Sequence, residues 1–131
     1  MIQDIFIKDN IAFGFNRLSI IDLEFGNQPF QKDNRTIVFN GEIYNHNELR
    51  IELIRSNEFT TNSDTEVLLT SYINYGEKCL DKLRGMFAFV IYDEVKDIVF
   101  GARDHFGIKP LYYVNNDEFI AFSSEYKSLV P

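Results

Sequence analysis

The longest unbroken apolar run in the chain, Met86 to Tyr92, predicts a strand covered on both faces. Asp93 to Asp97 ends it in a turn, and Ile98 to Ala102 predicts the partner strand. Beyond a loop over Asp104 to Lys109, Leu111–Val114 and Phe119–Phe122 flank Asn115-Asn116-Asp117 and predict a tight hairpin. Near the start, Ile5 to Lys8, Ile11 to Phe15 and Ser19 to Leu23 are short apolar-rich runs that predict strands. Gly26, Asn27 and Pro29 mark a loop over Glu24 to Pro29. Thr36 to Phe39 is β-branched and aromatic, so it predicts a strand that runs into Asn40-Gly41.

Between these strand-rich ends the apolar period changes to that of a helix. Asn45 precedes Glu48 by three positions, a capping-box spacing, and Leu49, Leu53 and Ile54 follow as an apolar stripe. Ser63 and Glu66 form a second capping box, with Val67, Leu68 and Tyr72 behind it and Gly76 placed to end the helix. Helices are expected near Asn45–Arg55 and Thr65–Tyr75, and Glu77 to Leu83 predicts one more short turn with Leu80 and Leu83 inward. Strands, then helices, then strands define an α+β fold with layered antiparallel sheets. At 131 residues the chain suits one domain over 1–131.

Composition changes this picture little. Hydrophobic residues make up 45% and tryptophan is absent, so thirteen phenylalanines and seven tyrosines carry much of the core area. The net charge of −7, with basic residues scattered, points away from nucleic acid and from anionic membranes as partners. No apolar run approaches the roughly 20 residues that span a bilayer, and Met1-Ile2-Gln3-Asp4 does not open a signal peptide. The single Cys79 excludes an internal disulfide framework, and a cytoplasmic location is expected. Two isolated histidines, His46 and His105, and one cysteine do not make a metal site.

Four segments hold the residues with chemical potential: Asn16 to Asp22, Asn40-Gly41-Glu42-Ile43-Tyr44-Asn45, Ser63-Asp64-Thr65-Glu66, and Arg103 to Tyr113. In this order and spacing they resemble the class II, N-terminal-nucleophile glutamine amidotransferase domain. Leu83-Arg84-Gly85-Met86-Phe87-Ala88-Phe89 and the form of the Asn-Gly-Glu-Ile-Tyr-Asn segment point to the asparagine synthetase branch. The resemblance implies an Ntn-hydrolase-like αββα sandwich of two antiparallel sheets, without the family's first strand and helix.

The chemistry of a glutaminase makes sense of these residues. An oxyanion formed on the glutamine side-chain amide needs donors, and the Asn40 side chain and the Gly41 backbone N–H can supply two. The resemblance gives Arg17 to the substrate carboxylate, in a two-pronged pair, and Asp64 with Glu42 to its ammonium. Taken singly, each has a plainer reading. Asn-Gly is a common turn, Arg17 an ordinary surface ion pair, and Asp64 a residue that favours the helix dipole. Arg103 to Tyr113 is read as a supporting loop and strand, with Gly107 and Pro110 shaping the turn.

In this family the nucleophile is a cysteine at mature position 1, whose own α-amino group, of pKa about 7.7–8.0, acts as base. No Cys, Ser or Thr occurs among the first eighteen residues here, and Phe15 stands where the family usually has His. Cys79 reads as a small buried hydrophobe. The resemblance begins near Phe6, so a truncated domain, inactive alone, is expected. The alternatives are a degenerate module that holds glutamine or a partner without catalysis, and a structural paralogue with an empty site. Residues 1–131 hold no phosphate-binding loop, so no cofactor is expected in them. ATP and magnesium would belong to an asparagine-synthetase-type ATP-using domain or subunit, the expected partner.

Overall fold

The computed structural model describes residues 2–8, 11–17 and 28–123, with side chains from Gln28 to Ser123. Strands β1 (Ile2–Lys8) and β2 (Ile11–Arg17) form an antiparallel ribbon. Strands β3 (Phe30–Lys32), β4 (Arg35–Ile43), β5 (Gly85–Asp93) and β6 (Ile98–Arg103) form an antiparallel sheet in that order. Strands β7 (Tyr112–Asn115) and β8 (Ile120–Ser123) form a second ribbon. Helices α1 (His46–Leu53) and α2 (Asp64–Tyr75), with a 3-10 helix over Gly76–Lys82, join β4 to β5. The expected strand over Ser19 to Leu23 and most of the loop before Pro29 lie outside the described residues.

The layering follows from which residues share a face. Ile37, Phe39 and Ile43 of β4 and Phe87, Phe89 and Ile91 of β5 pack with Leu49 and Leu53 of α1 and Val67, Leu68 and Leu69 of α2. Ala88, Val90 and Tyr92 point to the other face of β5 and are buried as well. The apolar run Met86 to Tyr92 is thus covered on both sides. On that second face the Phe122 ring stands within 3.4 Å of where a Cβ on Gly101 would lie. Gly101 pairs with Val90, so the β7–β8 ribbon packs over the sheet on the side away from the helices. Helix layer, sheet and strand ribbon are stacked in that order, as an α+β sandwich requires.

Several local expectations change. The strand read as Thr36 to Phe39 continues through Asn40, Gly41 and Glu42 to Ile43, so Asn-Gly is not a turn here. Asn45 makes no cap bond. Its side chain instead donates to the Lys82 carbonyl at 2.8 Å and accepts from the Arg84 N–H at 2.9 Å, tying the start of α1 to the start of β5. Ile54 is exposed, because α1 stops at Leu53 and Ile54 falls off the buried stripe. At α2 half of the capping box forms: Ser63 Oγ accepts from Glu66 N–H at 3.3 Å. The Glu66 carboxylate passes over the cap to the N–H groups of Thr60, at 3.1 Å, and Thr61, at 2.7 Å. The helix ends at Gly76, and Cys79 and Leu83 are buried, as expected.

Asp104 organises the loop after β6. Its carboxylate accepts from the N–H groups of Phe87 at 3.1 Å, Phe106 at 3.1 Å, Ile108 at 3.0 Å and Lys109 at 3.2 Å. These bonds, the one from Ile108 foremost, hold its carboxyl at about 2, well below the usual carboxylate range. A depressed folded-state pKa stabilises the fold above the unfolded value, about 3.9, and the gain is lost as pH falls toward 2. Asp104→Asn is therefore expected to lower the melting temperature at neutral pH and to flatten its fall between pH 4 and 2. Thermal melts across that window check this; an unchanged acid limb would show that Asp104 is not the titrating anchor.

Candidate active site

Four of the five candidate site residues, Asn40, Gly41, Glu42 and Asp64, lie at the end of β4 and the start of α2. In β4 the N–H groups alternate between the two neighbouring strands. Tyr44, just past the strand, donates to the Arg84 carbonyl at 2.6 Å on the β5 side, so odd-numbered residues face the other edge. There β3 pairs only with residues up to Ile37. Beyond it, side chains take over: Gln28 Oε1 accepts from Phe39 N–H, and Asp64 Oδ2 accepts from Ile43 N–H at 3.0 Å. Strand alternation puts the Gly41 N–H on this same edge, between two donors that are already satisfied.

Gly41 itself is under close constraint. Its φ of 132° is one that L side chains rarely adopt. A methyl group there would overlap the Met86 carbonyl oxygen and come within 2.8 Å of Phe87 Cα. On the facing strand, a side chain at Gly85 would overlap the Glu42 carbonyl oxygen in the same way. The two strands are pinched together at the site end, and only glycine fits at either point. Gly41 pairs with Phe87, which Asp104 holds from the far side.

Asn40 and Glu42 point to the face away from the helices. Asn40 is half-buried, and its side chain has no hydrogen-bond partner among the described residues. Glu42 is exposed, and its charge reaches Asp64. Asp64, the first residue of α2, is buried. Burial pushes its carboxyl above the ordinary range; the Ile43 N–H bond and the charge of His46 oppose this, and the charge of Glu42 adds to it. Every other carboxylate with a resolved shift among the described residues is lowered: Glu52, Glu66, Asp93 and Asp104. Among the carboxylates with a resolved shift, Asp64 is the one in which burial outweighs its hydrogen bond and its charged neighbour, as acids at functional sites often show.

Arg17 is the last residue of β2, opposite Ile2, and its side chain lies outside the described residues. The β2 backbone runs close to that of β4. Thus Asn40, Gly41, Glu42 and Asp64 come together, and Arg17 is placed only as far as its strand. His105 is exposed, and no group of three or more His, Cys, Asp or Glu among the described residues could hold a metal. Sequence reasoning passed over Gln28, which it treated as part of a loop, and Asp104, within a segment read as merely supportive. For Asp104 a signal existed, since Asp at a strand end followed by Gly107 is an Asx-turn pattern.

The fold is thus a layered antiparallel α+β sandwich with N–H donors and a buried acid at one strand end. A family model described as a glutamine amidotransferase domain matches residues 2–131, and the chain belongs to that family. The match takes in residues ahead of Phe6, where the resemblance was expected to begin. The glutamine-hydrolyzing asparagine synthetase 1 of Bacillus subtilis (strain 168) is 52% identical over 128 residues, covering 95% of this chain and 20% of the relative. Asparagine synthetase B of Escherichia coli (strain K12) is 46% identical over 131 residues, covering 97% of this chain and 24% of the relative. The chain thus spans about a fifth to a quarter of the length of these relatives. Among solved structures, the glutamine phosphoribosylpyrophosphate amidotransferase of B. subtilis, complexed with ADP and GMP, superposes with a TM-score of 0.71. It is 26% identical and the match covers 89% of this chain and 28% of that one. This neighbour identifies the fold as that of the N-terminal-nucleophile amidotransferases. No helix among the described residues is long and apolar enough to cross a membrane.

Proposed function

We propose that residues 1–131 form the glutamine-holding part of an asparagine-synthetase-type amidotransferase, which takes ammonia from glutamine for asparagine synthesis. Gly41 N–H and the Asn40 side chain face the amide oxygen. Arg17 pairs with the carboxylate of glutamine, and Asp64 and Glu42 with its ammonium. The observation that supports this most is the β4 edge, where the Gly41 N–H, with no acceptor among the described residues, stands two residues from the N–H that Asp64 accepts. One small molecule with an oxygen to be held and a positive charge to be matched fits both. The partner in this reading is an ATP-using synthetase domain or subunit, and the setting is cytoplasmic.

Hydrolysis also needs a nucleophile. Cys79 is fully buried, and burial first, then the charge of Asp81, pushes its thiol up to about 12. Such a thiol is not ionised at neutral pH and has no α-amine beside it. These residues by themselves hold glutamine and release no ammonia.

The test is a glutamine titration followed by backbone amide shifts. Saturable shifts at Gly41 and Asp64, absent with glutarate, are expected, with no ammonia formed. Affinity is expected to fall as the solution is acidified, beginning above the ordinary Asp range of about 3.9, because protonated Asp64 no longer attracts an ammonium. Asp64→Ala is expected to weaken binding at least tenfold. Binding unchanged by Asp64→Ala, or steady ammonia release that survives Cys79→Ala, would overturn the assignment.

A further inference from the structure

We propose that Gln28 is a positioning residue of the site, its side-chain amide joining β4 at Phe39 to α2 at Thr65. This rests on the functional reading above. Gln28 is 3% exposed. Its Oε1 accepts from Phe39 N–H, and its Nε2 donates to Thr65 Oγ1 at 3.2 Å. A neutral amide is the group that can accept at one end and donate at the other without bringing a charge into the core.

The positions of the two contacts carry the argument. Phe39 directly precedes Asn40, and Thr65 directly follows Asp64. The second tie between the same elements is the Ile43 N–H bond to Asp64, at 3.0 Å. Together they close a frame: Gln28, Phe39, the strand to Ile43, Asp64, Thr65, and back to Gln28. Asn40, Gly41 and Glu42 lie on one side of this frame and Asp64 at its corner. No β3 backbone holds β4 on that edge past Ile37, so the amide of Gln28 replaces a missing ladder bond. Opening the Gln28 tie frees the β4 segment to shift against α2. Shifts near 1 Å at positioned groups are known to cost about 10² in rate.

The experiment uses the full chain and compares Gln28→Met, Thr65→Val, their combination and Thr65→Ser. Tyr72→Phe serves as control, since it removes a bond to Asp93 at the opposite end of the sheet. Gln28→Met and Thr65→Val are each expected to shift the Gly41 and Ile43 amide resonances, to speed hydrogen exchange at Ile43, whose N–H is bonded to Asp64, tenfold, and to weaken glutamine about tenfold. The combination is expected to do no more than the stronger single change, because one link is broken once. Thr65→Ser, which keeps the hydroxyl, is expected to restore the Gly41 shift and the affinity. Tyr72→Phe is expected to lower the melting temperature without moving either.

Parent-like Ile43 exchange in Gln28→Met, or additive effects of the two changes, would overturn the proposal. Should Gln28→Met fail to fold, Thr65→Val decides by the same readouts. If the parent chain binds no glutamine, the functional reading falls, while the Ile43 exchange rate and the Gly41 amide shift still decide the positioning role. If the parent binds and Gln28→Met binds equally well, the positioning role falls and the functional reading stands.

Discussion

Gly41→Ala is expected to lower stability by about 3 kcal/mol and the melting temperature by about 10 °C. Two costs add. The alanine must adopt a φ of 132°, a strain of order 1–3 kcal/mol. Its methyl would also overlap the Met86 carbonyl oxygen, and Phe87 Cα would be 2.8 Å away. Both obstacles are backbone of the central strand, which cannot turn aside as a side chain can. Gly101→Ala supplies the contrast. Its methyl would meet the Phe122 ring edge at 2.8 Å, and that ring can rotate. A loss of about 1 kcal/mol is expected there, at the low end of overpacking costs. Thermal melts of the two variants check the difference. Equal melting temperatures would show that β4 and β5 are not pinched at the site, and would remove the reason for glycine at position 41.

The second large effect is expected at Glu66, which is fully buried. It accepts from Thr60 N–H, from Thr61 N–H and hydroxyl, both at 2.7 Å, and from Lys32 Nζ at 3.1 Å. Burial pushes its carboxyl up, but the bonds from Thr61, Thr60 and Lys32 together outweigh burial and hold it below the usual value. Glu66→Ala leaves a lysine and two backbone donors without their acceptor, so a loss of about 3–5 kcal/mol is expected. Lys32 keeps its bonds to the Glu58 carbonyl, at 2.6 Å, and to Thr70, at 2.9 Å, which places the loss at the lower end of that range. Since the folded-state pKa is depressed, the contribution is complete above the unfolded value of about 4.3 and disappears as pH falls below it. Urea midpoints at pH 7 and pH 3 check both statements. A midpoint gap between parent and variant that is as wide at pH 3 as at pH 7 would sink the electrostatic part.

How far such features can be read from sequence depends on what encodes them. The strand Met86 to Tyr92 was legible because burial on both faces demands an unbroken apolar run. The continuation of β4 through Asn40-Gly41 was not. Those residues disfavour strands, and the backbone extends there because β5 pairs with it and two glycines allow the approach. The cap at Asn45 failed for a related reason. The spacing to Glu48 was right, but the Lys82 carbonyl and the Arg84 N–H, nearly forty positions away, claimed the side chain. Asp64 was legible as a candidate ligand only through the ordered motifs of the resemblance. Its burial and raised carboxyl are tertiary facts. Gln28 carried no signal, since a lone glutamine before Pro29 looks like any loop residue until Phe39 and Thr65 are seen beside it.

The edge of β4 beyond Ile37, where β3 no longer pairs with it, has a consequence for what can attach to it. An unprotected edge offers every second N–H to any extended peptide, which is how sheets recruit foreign strands and aggregate. Here Gln28 occupies the Phe39 donor and Asp64 the Ile43 donor. A polypeptide laid along this edge would find one acceptable hydrogen bond where it needs three in succession. Between those two donors, the Gly41 N–H has no acceptor among the described residues. With its flanking donors occupied by side chains, such an edge gives a foreign strand no run of hydrogen bonds to make.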